Sequence, residues 1–539
     1  MNKKILLTLS ALLLGGAVGC TPVTPSSSLE PSSSEEISSS EEISSSEEIS
    51  SEAPTYDNYF KVDKSLYKTT YNELRKKRGY QTEAKQDGDV KVLVVPVDFI
   101  GYEAEKMPLG AEGTREALNI AFFGDPDNPE HAKNLYHHSL ASFYKMSSYG
   151  LCNITGTVLP WWHTNKTPVN FVKAGGPSTL LISQVQEYYQ NGEGSEIINL
   201  DDYDANNDGY VDLVHFIYTC PTGVVSETID TSNTFWAYCT EASTKNDDLS
   251  TAVISRYIFA SFEFLYEGGN VSSGVRKDWT DIQKRNNQVK FSTHTLIHES
   301  GHGLALPDYY SYDYNGDNPL GGLDMMDHNI GDHNAVSKAW LGWVEPYVVT
   351  GDADITLGAY ELTGDCILVP IRDVNWEEEV YTLLDEYIMI QFDTGLGAAT
   401  TDANIPYANM GKYFSVPGVR ILHADARIGL FSSDGTFLGY NRSYNVRDGY
   451  FADLAHDNTE TRTQNGNDLL EVVLPNGARN NKLVSNDSLF RAGDCLNNFV
   501  MNTDLPTSSF HEKYNLGYSI TVESIEGSES ALIKIRVVD

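Results

Sequence analysis

Hydrophobic positions along this chain fall into two textures, with the change near residue 345. Before it, apolar runs are separated by long stretches of mixed pattern. Val92 to Val97 is wholly apolar and mostly β-branched, which predicts a strand buried on both faces. Pro96 has no N–H to give a ladder, so pairing is expected to fail near that end. Leu135 to Tyr149 carries an apolar face at helical spacing and is expected to stop at Gly150. Val211 to Tyr218 reads as a second buried strand. This strand–helix–strand succession predicts an α/β unit. After residue 345 come short β-rich runs, ILVPIRD, EYIMIQFD, GVRILHAD, LLEVVLP, SITVESI and ALIKIRVV, separated by Gly, Asn, Asp and Ser. In the last of them Ile533, Ile535 and Val537 alternate with Lys534 and Arg536, giving one dry and one wet face. The expectation is an antiparallel sandwich or a jelly-roll-like region.

The clearest chemistry is HESGHGLALPD at 298–308. On a helix, positions i and i+4 lie one above the other, so His298 and His302 can aim both imidazoles at one point with Glu299 beside them. That is how a hydrolytic zinc site is arranged: two histidine ligands and a carboxylate able to take a proton from water. Gly303 weakens the helix and Pro307 cannot continue it, so the chain is expected to turn back and bring Asp308 to the same metal. Three ligands leave the fourth position open, as catalysis requires. His294 lies one turn earlier and is expected at the helix start near solvent, because a fourth protein ligand would close the site.

HESGHGLALPDYY, followed by GGLDMMDHNIGDHNAVSKAWLGWVEP, resembles the immune inhibitor A family of secreted bacterial metallopeptidases, a metzincin-like group. VKVLVVPVDF, SLASFYKMSSYGLCNITGTVLPWW and DYDANNDGYVDLVHFIY add to the likeness, which is strong over roughly residues 90–345. The resemblance implies an α/β metzincin-like catalytic domain at 90–345 and a β-rich domain at 346–539. It also implies zinc on His298, His302 and Asp308, Glu299 as general base, and Met326 as the methionine of a turn beneath the metal. Ala305 stands where the family has glycine, in a left-handed reversal that costs a non-glycine residue on the order of 1 kcal/mol. His328 stands where relatives carry a tyrosine that stabilises the tetrahedral intermediate, a role a histidine donor can also fill.

A second metal candidate is DYDANNDGYVD at 202–212. Asp204, Asn206 and Asp208 alternate, Gly209 permits a sharp turn and Asp212 follows, which groups hard oxygens as calcium loops do. Counting from Asp204, position 12 is His215, unlike a full EF-hand.

At the amino terminus, Lys3-Lys4, the apolar stretch Ile5–Leu14 and the small residues Ala17-Val18-Gly19 precede Cys20. The segment resembles a bacterial lipoprotein signal over residues 1–20, with lipid on Cys20 and Ala17 in place of the usual leucine. Residues 21–55 repeat SSSEEI and hold eight glutamates and no basic residue, which predicts a disordered linker. Residues 56–89 read as a lead-in or a short prosegment. The formal charge of −37 disfavours nucleic acid as a partner. Without Cys20, five of the six cysteines remain, an odd number that describes no disulfide framework, and spacing alone cannot pair Cys220 with Cys239.

Together these features predict a surface-exposed, lipid-anchored zinc endopeptidase with calcium as a second ion and extracellular proteins or peptides as substrates. If the anchor is absent, it is a secreted enzyme. The competing class is a non-catalytic surface binding protein with a structural zinc. Against it, a purely structural site has no need of Glu299. A zinc hydrolase of non-peptide bonds is opposed only by the family resemblance.

Overall fold

The computed structural model describes residues 56–61, 84–190, 198–222, 235–242, 251–267, 291–312, 317–371, 383–407, 411–440, 449–458, 467–502 and 515–538. The expected signal, Cys20 and the linker lie outside the described residues, as does 62–83 of the lead-in. Among the described residues no helix is long and apolar enough to cross a membrane.

Strand β1 (Asp57–Lys61) opens the described chain and finds its partner only after residue 346. The first sheet contains β2 (Gly88–Asp98), β3 (Cys152–Val158), β4 (Trp162–His163), β5 (Leu213–Tyr218), β6 (Tyr238–Glu241) and β7 (Arg256–Ser261). Their order is β3–β2–β5–β7–β6, with β4 also beside β2. All pairs are parallel except β6 with β7. Parallel strands need crossovers and are covered on both faces. The apolar runs are continuous for that reason: Val92 and Val94 enter one core, Leu93, Val95 and Val97 the other.

Helices α1 (Gly110–Phe123), α2 (Leu140–Ser147) and α3 (His294–Gly303) cover the first of these faces with Leu118, Phe122, Phe143, Tyr144, Leu296 and Ile297. The helix expected from Leu135 begins five residues later. Ser139 caps it by accepting from the Ser142 N–H at 3.1 Å, while Leu135 is held in a bridge to Phe291. The expectation for Pro96 holds on one side only. Pairing with β3 stops at Val94, but the ladder to β5 runs through Pro96 and Val97, because the missing N–H faces away from β5.

After α4 (Met325–His328) and α5 (Ala335–Trp340) the chain builds a nine-stranded sheet. Its strands are β1, β8 (Tyr347–Gly358), β9 (Cys366–Pro370), β10 (Glu386–Asp393), β11 (Gly418–Asp425), β15 (Leu470–Val473), β16 (Cys495–Asn497), β17 (Tyr518–Glu526) and β18 (Ser530–Val537). The order is β15–β11–β10–β9–β8–β18–β17–β16, with β1 on β8. Pairing is antiparallel apart from β8 with β9. A separate three-stranded sheet joins β12 (Ile428–Ser432), β13 (Phe437–Tyr440) and β14 (Tyr450–Leu454).

The antiparallel, β-rich character is as expected, but one large curled sheet stands where two stacked sheets were anticipated. Ile388, Ile390 and Phe392 of β10 enter a core enclosed by the curl, with Ile355, Ile421, Ile520 and Ile533. Tyr387 and Met389, on the other face, join the core that also holds α1 to α3. Residues Thr55–Asp539 accordingly form one compact unit. Short α6 (Thr400–Asn404), which follows β10, packs toward α3. None of the five cysteines of the described residues, Cys220 and Cys239 included, is joined in a disulfide.

Candidate metal centre

Helix α3 ends in a way that delivers Asp308. Ala305 N–H donates to the His302 carbonyl at 3.0 Å and Leu306 N–H to the Gly301 carbonyl at 3.0 Å. These two bonds define a Schellman ending, whose pivot residue must be left-handed. Ala305 occupies the pivot with φ of 82°, as expected where glycine would be unstrained. The chain reverses through Pro307, and Asp308 returns to the histidines.

His298 Nε2 lies 3.0 Å and His302 Nε2 3.2 Å from Asp308 Oδ1. Each imidazole is fixed from behind: His298 Nδ1 bonds the Met325 carbonyl and His302 Nδ1 the Leu306 carbonyl, both at 2.8 Å. A carbonyl only accepts, so both Nδ1 atoms carry the proton and both neutral rings turn lone pairs inward. Asp308 Oδ1 is buried and has no hydrogen-bond donor. With both rings neutral, three lone pairs converge on one point, an arrangement that calls for a positive charge, either a metal ion or, without one, a proton. The donor set of two imidazoles and a carboxylate suits zinc or a similar transition metal. Without an ion, burial lowers the His302 pKa, but Asp308 and Glu299 outweigh it and push it up to about 9.

Glu299 sits between the two histidines on α3, with 6% of its surface exposed. Burial raises its pKa above the ordinary carboxylate range, against the pull of His298 and His302, and the Cys239 N–H on β6 donates to it. A carboxylate held this way can both take and return a proton.

Beneath the helix, Met326 is fully buried and its Sδ fills the space a side chain at Gly301 would need; a Cβ there would lie 2.4 Å from it. Asp324 fixes the turn by accepting from the N–H groups of Met326 at 2.9 Å and Asn334 at 3.0 Å. Asn329 closes α4 in the left-handed region, φ 60°.

His328 bonds Asp327 through Nδ1 at 2.5 Å and belongs to neither cluster of metal-competent side chains among the described residues. Two tyrosines that the sequence reading passed over touch the group. Tyr310 stacks 6.3 Å from the His298 ring, and burial together with Asp308 raises its phenol pKa. Tyr312 donates its hydroxyl to Asp308 Oδ2. The signal for both was the DYYSY run that begins at the third ligand.

Around the acidic turn, Asp204 Oδ1 and Asn206 Oδ1 each accept the Asp208 N–H at 3.0 Å, and Asp204 Oδ2 the Gly209 N–H at 2.8 Å. Asp212 accepts the Ala205 N–H at 3.2 Å, and burial raises its pKa to about 7. The carboxylates of Asp204, Asp208 and Asp212 do not form one of the metal-competent groups found among the described residues. His215 is remote from an ion-binding role: it is fully buried on β5 and supports α3 through Ser300 Oγ at 3.1 Å.

His294 differs most from expectation. It is fully buried, and its Nε2 meets Asp402 Oδ1 at 2.9 Å. The sequence around it could not show this, because the carboxylate comes from α6, 108 positions away. In the lead-in, Ala84 N–H and Gln86 Nε2 bond the carbonyls of Gly303 and Leu304, at the end of α3. No known protein-family model and no curated protein matches this chain.

Proposed function

We propose that this protein is a zinc-dependent endopeptidase of metzincin-like type, related to the immune inhibitor A peptidases it resembles. The observation that carries the reading is the convergence of His298 Nε2, His302 Nε2 and Asp308 Oδ1 with Glu299 on the same helix. A zinc ion held there supplies Lewis acidity toward water and toward a carbonyl oxygen. Glu299 takes the proton of the attacking water and passes it to the leaving amine, a task its raised pKa suits. The Tyr310 phenol, kept protonated, is a donor beside the reacting carbonyl, a role His328 was expected to fill.

A peptide substrate is favoured by β6. It is the edge of the first sheet among the described residues, and its Cys239 N–H reaches Glu299. An extended chain paired along such an edge would be carried past the metal. Export with a lipid on Cys20, calcium at the 204–212 turn and extracellular protein substrates complete the proposal.

Mixed unfolded proteins incubated with the full chain test the reaction class. New peptide termini, mapped by mass spectrometry and suppressed by a zinc chelator, are expected. Intact substrates together with hydrolysis of an ester or amide that is not a peptide would replace the reading with a non-peptide hydrolase.

A further inference from the structure

A second group of donors converges away from the first, in full burial. His137 comes from the loop before α2, His294 from the first turn of α3 and Asp402 from α6. His294 Nε2 lies 2.9 Å and 3.1 Å from the two Asp402 oxygens, and His137 Nε2 lies 3.7 Å from Oδ2. The side chains of all three are at most 1% exposed.

We propose that His137, His294 and Asp402 form a second, structural transition-metal site, of the zinc class, that clamps the start of the catalytic helix to the β-rich region.

Four observations support it. Bonds of about 2.0–2.1 Å in a tetrahedral zinc site space the donor atoms about 3.3–3.4 Å apart. With Asp402 Oδ2 as the shared oxygen, the observed 3.1 Å and 3.7 Å bracket that spacing. His294 Nδ1 is taken by Ser292 Oγ at 2.9 Å, which leaves Nε2 as the inward donor. Asp402 is anchored independently, because its Oδ2 accepts the Gly331 N–H at 2.7 Å. Finally, both ring nitrogens of His137 are buried without a hydrogen bond of good geometry, the Ala398 carbonyl being only a looser neighbour. A buried imidazole with unmet nitrogens is costly, and a metal removes that cost. Two imidazoles and a carboxylate are borderline donors, which suits zinc better than calcium or magnesium.

The site has no face open to a substrate, so its role is to hold segments together. His294 stands four residues before His298, so a metal there fixes the helix on which the catalytic histidines ride.

Counting zinc in the purified full chain, loaded with zinc chloride and then dialysed free of excess, tests the inference. Two equivalents are expected in the wild type, one in His302→Ala, one in His137→Ala and none in the double variant. One equivalent in the wild type that vanishes in His302→Ala would overturn the second site and leave the proposed function standing. One equivalent that survives in His302→Ala but not in His137→Ala would support the second site and count against the catalytic one. Should His137→Ala fail to fold, the wild type and His302→Ala suffice: a residual equivalent in the latter supports the site and its absence overturns it.

Discussion

Helix α3 contributes to two His/His/Asp groups, and they differ in what surrounds them. At its first turn His294 meets Asp402 in complete burial, across to the β-rich region. One and two turns later His298 and His302 meet Asp308, which arrives on the helix's own exit loop and leaves His302 18% exposed. Nearly the same donors serve both. Only the second group has a further carboxylate beside it, in Glu299, and solvent within reach. Exposure and the neighbouring residue, not the ligand set, separate a group able to do chemistry from one that can only hold structure.

The largest effects should break the two groups in opposite ways. His302→Ala is expected to lose hydrolysis to background with a small change in melting temperature. Asp402→Ala should unfold far more easily, by about 3–5 kcal/mol, because it strands His294 and the Gly331 N–H in the interior. Denaturant titration beside activity measures both, and a stable Asp402→Ala would remove the clamp from the account.

Gly301→Ala sharpens the comparison from beneath the exposed group. Its Cβ would collide with Met326 Sδ, so a loss of about 1–3 kcal/mol is expected, with zinc affinity reduced as the turn shifts. Unchanged melting would mean that the methionine turn yields without cost.

Within the curled sheet, away from the candidate metal centre, His423 supplies a pH dependence of its own. Burial lowers its pKa, but its hydrogen bonds to Glu386 and Glu471 prevail and raise it from 6.5 to about 9. The folded state binds the proton more tightly than the unfolded one. Its stabilisation is therefore complete below pH 6.5 and lost as pH rises through about 9. Thermal melts across that window should decline in the wild type and less so in His423→Gln.

The smallest effect lies at the pivot. Ala305→Gly should gain up to about 1 kcal/mol by relieving the left-handed strain, without loss of turnover.

The legible parts of this molecule were the local ones. The i, i+4 histidines and the return of Asp308 follow from a single run of eleven residues, where chain geometry leaves few alternatives, and the strained pivot at Ala305 came from the family resemblance. The strand runs were legible as well, since residues buried on both faces are apolar whichever face they turn. Their arrangement was not: nothing in EYIMIQFD says that Ile388 faces the curl and Met389 the core shared with α3. Nor did sequence reveal His137, His294 and Asp402 as a group, since three distant segments must first be folded together. Tyr310 was missed for a smaller reason, because spacing along a loop does not fix where a side chain points.

The central claim is that Glu299 performs the proton transfer at a metal bound by His298, His302 and Asp308. The most direct measurement is zinc content and peptide hydrolysis on the same preparation of Glu299→Ala. Zinc at the wild-type level with turnover reduced by about 10²–10⁴-fold is the expected result. Hydrolysis at the wild-type rate would contradict the claim.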